Sequence, residues 1–177
     1  MKMKTACLLI VTSFFLASCK EKAATSTPTA SKGPSAALAA VLASAPIGEP
    51  KSIHLIRTSA KPGDEVTLSG RIMGNAQPFV DGRAVFILGD TKVLTACNDV
   101  PGDKCETPWD ACCDSPEDKK RATATIQIIG ADGRVLKEAI EGVSGLKKLA
   151  TVTVTGKVAD GSSADLMLVN ATAIRVP

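Results

Sequence analysis

Glu65-Val66-Thr67-Leu68-Ser69-Gly70-Arg71-Ile72-Met73 carries the clearest structural pattern in the chain. Val66, Leu68 and Ile72 fall on one face of an extended chain, and Thr67, Ser69 and Arg71 on the other. That two-residue alternation is the mark of a half-buried strand. Gly70 interrupts the apolar face where a strand of a small closed sheet has to bend. Lys61-Pro62-Gly63-Asp64, just upstream, is a turn signal.

Similar patterns follow along the chain. Asp81-Gly82-Arg83 turns into a short apolar strand at 84–88, and residues 122–129 (ATATIQII) read as another. Ala131-Asp132-Gly133 turns into 134–140, a strand or a short helix, and 142–148 is a connector. Residues 150–155 (ATVTVT) alternate strictly, with Val152 and Val154 on one face. Asp160-Gly161 marks a turn, and 166–176 is the last strand, apolar on both faces in its first half, as suits a strand crossing a closed barrel. Upstream, residues 52–57 (SIHLIR) read as a first strand or edge piece. Aromatics make up only 3% of the chain and Tyr is absent, so the core must come from Val, Ile, Leu and Ala. The expected class is all-β, a small five-stranded barrel occupying 51–177, with a β-sandwich as the alternative.

The strand order, with a long glycine-bearing first strand and a Thr/Val strand ending in Gly156-Lys157-Val158, resembles the OB-fold over about residues 60–177. The stretch from Gly82-Arg83-Ala84-Val85-Phe86 through Pro108-Trp109-Asp110-Ala111-Cys112-Cys113 is also similar to a family of uncharacterised bacterial envelope proteins, a resemblance that implies no activity.

The N-terminus reads as an address. Lys2 and Lys4 precede an apolar run, 6–16, that is too short to span a bilayer. The run ends in Leu16-Ala17-Ser18-Cys19, which resembles the lipobox of bacterial lipoproteins. The resemblance implies a signal peptide at 1–18 and a mature chain that begins at Cys19, its thiol carrying diacylglycerol and its amino group a further fatty acyl chain such as palmitate. It also implies an extracytoplasmic protein anchored in the cell envelope. Lys20 rather than Asp after the Cys favours the outer over the inner membrane. Residues 19–50, rich in Ala, Ser, Thr and Pro, read as a flexible tether. A short helix at 36–45 is compatible with the alanines but shows little amphipathic pattern to dock it.

Four cysteines remain, all within a loop at 91–121: Cys97, Cys105, Cys112 and Cys113. An even number of thiols in a Pro/Gly-rich loop of an exported protein suggests disulfides. Three pairings are possible, and a bridge between the neighbours Cys112 and Cys113 is strained. Closing a loop of this length contributes about 3 kcal/mol in the chain-entropy model. Alternatively the four thiolates bind zinc or copper, although C-x7-C-x6-C-C is not the paired spacing of a persuasive zinc site. A third reading, redox work by Cys112 and Cys113, lacks the C-x-x-C spacing. Acids such as Asp99, Asp103 and Asp110 do not follow a calcium-loop order and read as a solvated surface. Trp109 reads as a hydrophobic plug within the stapled loop.

Several function classes are disfavoured. The net charge of +3 includes Lys2 and Lys4, so the mature chain is close to neutral, and it keeps only Phe79, Phe86 and Trp109 as aromatics. Neither property suits nucleic-acid binding. His54, the only His, reads as a strand-surface residue, no motif surrounds any Ser, and the pattern points away from an enzyme. The expectation is a non-enzymatic, membrane-tethered binding or structural module whose stapled loop meets an envelope partner or small ligand, with no cofactor. The alternatives are a metal-binding or metal-delivery lipoprotein that uses the four Cys and, after it, a thiol-disulfide redox protein.

Overall fold

The computed structural model describes residues 33–177. Five strands form a closed barrel in the order β1-β2-β3-β5-β4, an all-β OB-like arrangement. Strand β1 (Glu65–Ile72) alternates as its sequence indicates, with Leu68 and Ile72 fully buried. It pairs antiparallel with β4 (Thr151–Val158) from Glu65↔Lys157 to Arg71↔Thr151. At its end, Arg71 and Ile72 also pair with Gly89 and Leu88 of β2 (Val85–Gly89). From there β2 pairs antiparallel with β3 (Thr123–Gln127), β3 runs parallel to β5 (Leu168–Arg175), and β5 returns antiparallel to β4.

Two glycines permit this closure. A Cβ on Gly70 would sit 2.5 Å from the Gly89 carbonyl oxygen and 2.9 Å from Leu88 Cγ. Gly156 stands at a register shift between β4 and β5, where a Cβ would lie 2.8 Å from Val169 Cγ1. Strands that bend to close a small barrel approach each other where no side chain fits.

The interior is aliphatic, built from Leu68, Ile72, Leu88, Ile126, Val152, Val154 and Val169 around Phe86, whose ring centroid is 6.1 Å from that of Phe79. Ile140 and Leu146, from the connector between β3 and β4, add to the same core. Residues 134–140 form neither a strand nor a helix. Ile129 and Val135 make a single antiparallel bridge, and the segment then runs irregularly to the buried Ile140.

The upstream segments differ from expectation. Residues 52–57 hold a one-turn helix, α2 (Ile53–Ile56), instead of a strand. Strand alternation would bury Ile53 and Leu55 together, yet Ile53 is buried and Leu55 is 64% exposed. Over so short a run, helical and extended periods cannot be told apart by pattern. The expected tether is also corrected over its described part. Helix α1 (Ala36–Ala43), capped by Ser35, lies against β5, with Leu38 fully buried and Val41 and Leu42 packed on the core. Leu38, Val41 and Leu42 have helical spacing. The surrounding alanines are themselves apolar, so they hide the contrast by which amphipathicity is recognised. Beyond α1, Ile47 N–H donates to Thr155 Oγ1 at 2.9 Å, and Lys51 N–H donates to the Thr67 carbonyl at 2.9 Å. The chain has therefore joined the domain by Ala36. Residues 19–32, the rest of the expected tether, lie outside the described residues.

Two substitutions test this packing by urea denaturation. Leu38→Ala should cost about 2–5 kcal/mol if α1 is docked, against under about 0.5 kcal/mol for a residue in a free spacer. Gly156→Val should cost at least about 1–3 kcal/mol as overpacking at the β4–β5 contact, or prevent folding.

Candidate functional site at the cysteine loop

The chain between β2 and β3 is not a structureless insertion. It leaves the barrel at Asp90, which is 2% exposed and accepts hydrogen bonds from Lys92 N–H at 3.0 Å and His54 N–H at 3.1 Å. It then builds a second small core of Met73, Leu94, Ala96, Ala111 and Ala122, flanked by Val93 and Leu149. Gly74 N–H donates to the Trp109 carbonyl at 3.0 Å, and the Trp109 indole N–H to the Ala76 carbonyl at 2.8 Å. Lys148 Nζ lies 4.3 Å from the centre of that indole ring, a favourable cation–π placement. Trp109 is therefore a half-buried clamp between the loop and the β1–β2 turn. Arg71 on β1 forms an ion pair with Asp99. The loop returns to the sheet through α3 (Pro116–Ala122), where Ser115 Oγ accepts from Asp118 N–H at 3.0 Å. That helix was legible in Ser115-Pro116-Glu117-Asp118, an N-cap followed by proline and acids.

Two backbone bonds bring the thiols together. Cys97 N–H donates to the Asp110 carbonyl and Asn98 N–H to the Pro108 carbonyl, both at 2.8 Å. These lay the short 3-10 turn Cys97–Asp99 alongside residues 108–112. Pro101-Gly102 reverses the chain between them, Gly102 adopting a φ of 81°, and Cys105 N–H donates to Asp103 Oδ1 at 2.6 Å. The resulting sulfur separations are 3.2 Å for Cys97–Cys112, 3.9 Å for Cys105–Cys112 and 4.0 Å for Cys112–Cys113. Cys97, Cys105 and Cys112 all lie within 4.8 Å of one another. Cys113 neighbours Cys112 but stands outside this triangle.

All four are free thiols. None of these separations approaches the ~2.05 Å of an S–S bond, and the loop is ordered by its own apolar cluster and backbone bonds. Cys97 and Cys112 are the pair that needs the least movement to close a bridge. Cys97 forms the buried floor, Cys105 is half-buried, and Cys112 and Cys113 face solvent. The adjoining cavity, about 120 Å³ and lined by Cys97, Asn98, Val100, Asp103, Cys105 and Pro108, has room for an ion or a few waters. Organic-ligand pockets are larger, about 300–1,000 Å³.

The thiols differ in acidity for visible reasons. Burial, reinforced by the Cys112 contact, pushes the Cys97 thiol up to about 12. Hydrogen bonds from Thr107, through its hydroxyl and backbone, hold Cys105 below the ordinary thiol value. For Cys112 the Cys97 contact favours the thiolate, but Cys105, partial desolvation and Cys113 outweigh it and the thiol is raised. Among Cys97, Cys105 and Cys112 the thiolate is favoured at Cys105, and a metal ion would have to displace the protons of its ligands. Several loop acids have local tasks: Asp103 holds Cys105 N–H, Asp114 holds Thr95 N–H at 2.8 Å, and Asp99 pairs with Arg71. Cys19 lies outside the described residues.

His54 is not a strand-surface residue. It stands on α2 with Nδ1 2.7 Å from Asp90 Oδ2. The one sequence signal for Asp90 is a single acid directly after an apolar strand. Burial alone would raise its carboxyl. The bonds from the His54 ring, Lys92 N–H and His54 N–H, with the His54 charge, outweigh that and hold it below the ordinary 3.8. A carboxyl depressed in the folded state adds stability that is fully present above its unfolded value and is lost as pH falls through its folded value. Acidification from about pH 6 to about pH 3 should therefore lower Tm, and Asp90→Asn should start with a lower Tm at neutral pH and fall less over that interval. Thermal melts across this range provide the check. Parallel slopes for the two proteins would show that Asp90 is not the responsible group.

In comparisons with protein-family models, curated proteins and solved structures, nothing matches this chain.

Proposed function

We propose that this chain is a lipid-anchored envelope protein whose OB-like barrel is a non-enzymatic scaffold for a soft-metal thiolate site. One observation carries the reading: the Sγ atoms of Cys97, Cys105 and Cys112 converge within 4.8 Å of one another. Thiolates are soft donors that select zinc or cuprous copper over hard cations. The small cavity beside the sulfurs fits an ion better than an organic ligand. Attachment through Cys19 would hold the domain at the membrane surface, and an envelope partner would then receive or supply the ion.

The second reading is a loop stapled by disulfides in an otherwise structural module, favoured by the 3.2 Å separation of Cys97 and Cys112. Intact mass and metal content separate the two readings in protein taken from the membrane fraction without reductant. The metal reading expects one ion per chain and four alkylatable thiols after chelation. A mass lower by the hydrogens of one or two disulfides, with no metal, would overturn it. Cys19→Ala should move the protein out of the membrane fraction and abolish labelling by fatty acid, whichever reading of the loop holds.

A further inference from the structure

The inference here rests on the metal–thiolate reading and concerns which ion is held and how it leaves. We propose that Cys97, Cys105 and Cys112 hold cuprous copper as a three-thiolate site, and that Cys113 is the exchange ligand through which the ion is handed on. The fourth thiol is the informative one. Zinc in a structural site takes four donors in a tetrahedron, and the described loop brings three sulfurs together, not four. Cys113 reaches only Cys112, at 4.0 Å. The one His is on α2 and engaged with Asp90. Cuprous copper is a soft ion served by thiolates alone, and three of them complete its shell.

The depths of the sulfurs give the site a direction. Cys97, 2% exposed, is the inner ligand, which an incoming protein cannot reach. Cys112 and Cys113 are adjacent in sequence, exposed, and separated by one sulfur-to-sulfur contact. Exchange then runs outward. A bond forms from copper to Cys113 Sγ as the bond to Cys97 Sγ breaks, and the proton released by the Cys113 thiol is taken up at Cys97. Copper stays in the +1 state and no electrons are transferred. The ion ends on Cys105, Cys112 and Cys113 at the surface, where an acceptor thiolate displaces these ligands in turn.

The test uses the full chain in detergent, reduced under argon and loaded with one equivalent of Cu(I). Affinity is measured by competition with bicinchoninate, and release by stopped-flow mixing with excess bathocuproine disulfonate. Cys113→Ser should hold Cu(I) within about threefold of wild type, about half of the 1.4 kcal/mol that a tenfold change in affinity represents. Its release should be at least about tenfold slower, the rate equivalent of ~1.36 kcal/mol in barrier height. Cys97→Ser should lose affinity by more than about 100-fold, the upper end of what even an outer-shell change costs a metal site. Circular dichroism of the exposed-site variant confirms folding. Release from Cys113→Ser at the wild-type rate would overturn the exit role. A Co(II) charge-transfer spectrum of four thiolates, with Cys113→Ser losing zinc affinity as severely as Cys97→Ser, would overturn the copper assignment while leaving the metal reading intact. A reduced chain that binds neither Cu(I) nor zinc would overturn both.

Discussion

Barrel closure governs the architecture, and it is met at two positions that lack a Cβ. At Gly70, β1 lies so close to the end of β2 that it pairs with both β2 and β4. At Gly156, β4 shifts register against β5, so that β5 can also run parallel to β3. With the sheet closed, little strand edge is left among the described residues for a partner to extend. What remains available for recognition is the ends of the barrel and the segments that leave them. The longest of these carries every cysteine of the described residues.

That segment has sources of order other than a bridge between its sulfurs. Met73 and Leu94 are buried in the core it shares with the end of β1, and full burial of such side chains contributes about 1.5–3 kcal/mol each. Their combined effect is comparable to the roughly 3 kcal/mol that one disulfide across a loop of this size adds. The Trp109 clamp and the backbone bonds of Cys97 and Asn98 add to it. These contacts hold the thiols of the loop beside one another. Their different depths give the cluster an inner and an outer side.

Much of the fold was legible in the sequence. The alternation at 65–73 and 150–155, the glycine at 70 and the order of the strands all correspond to features of the barrel, because burial on one face imposes a period of two on any strand. The illegible parts share a cause. Residues 53–56 are too few to show a period, and the alanines of 36–43 show no contrast between faces. In both cases the deciding contacts are made with distant strands. Helix α3 is a different case: its cap and proline stand in the sequence, but its seven mostly polar residues are too few to show a period.

Local alternation and composition put Cys97, Cys105, Cys112 and Cys113 in one loop between the second and third strands, and make the core aliphatic and the class all-β. These are properties of local pattern and composition. Which sulfurs meet is set by long-range packing. The meeting of Cys97 with Cys112 and Cys105 depends on two backbone bonds and one glycine turn inside the loop, and on an apolar cluster shared with the end of β1. Sequence spacing sets how far apart the cysteines can be. It does not set how close they come, because that distance belongs to the packing of everything between them.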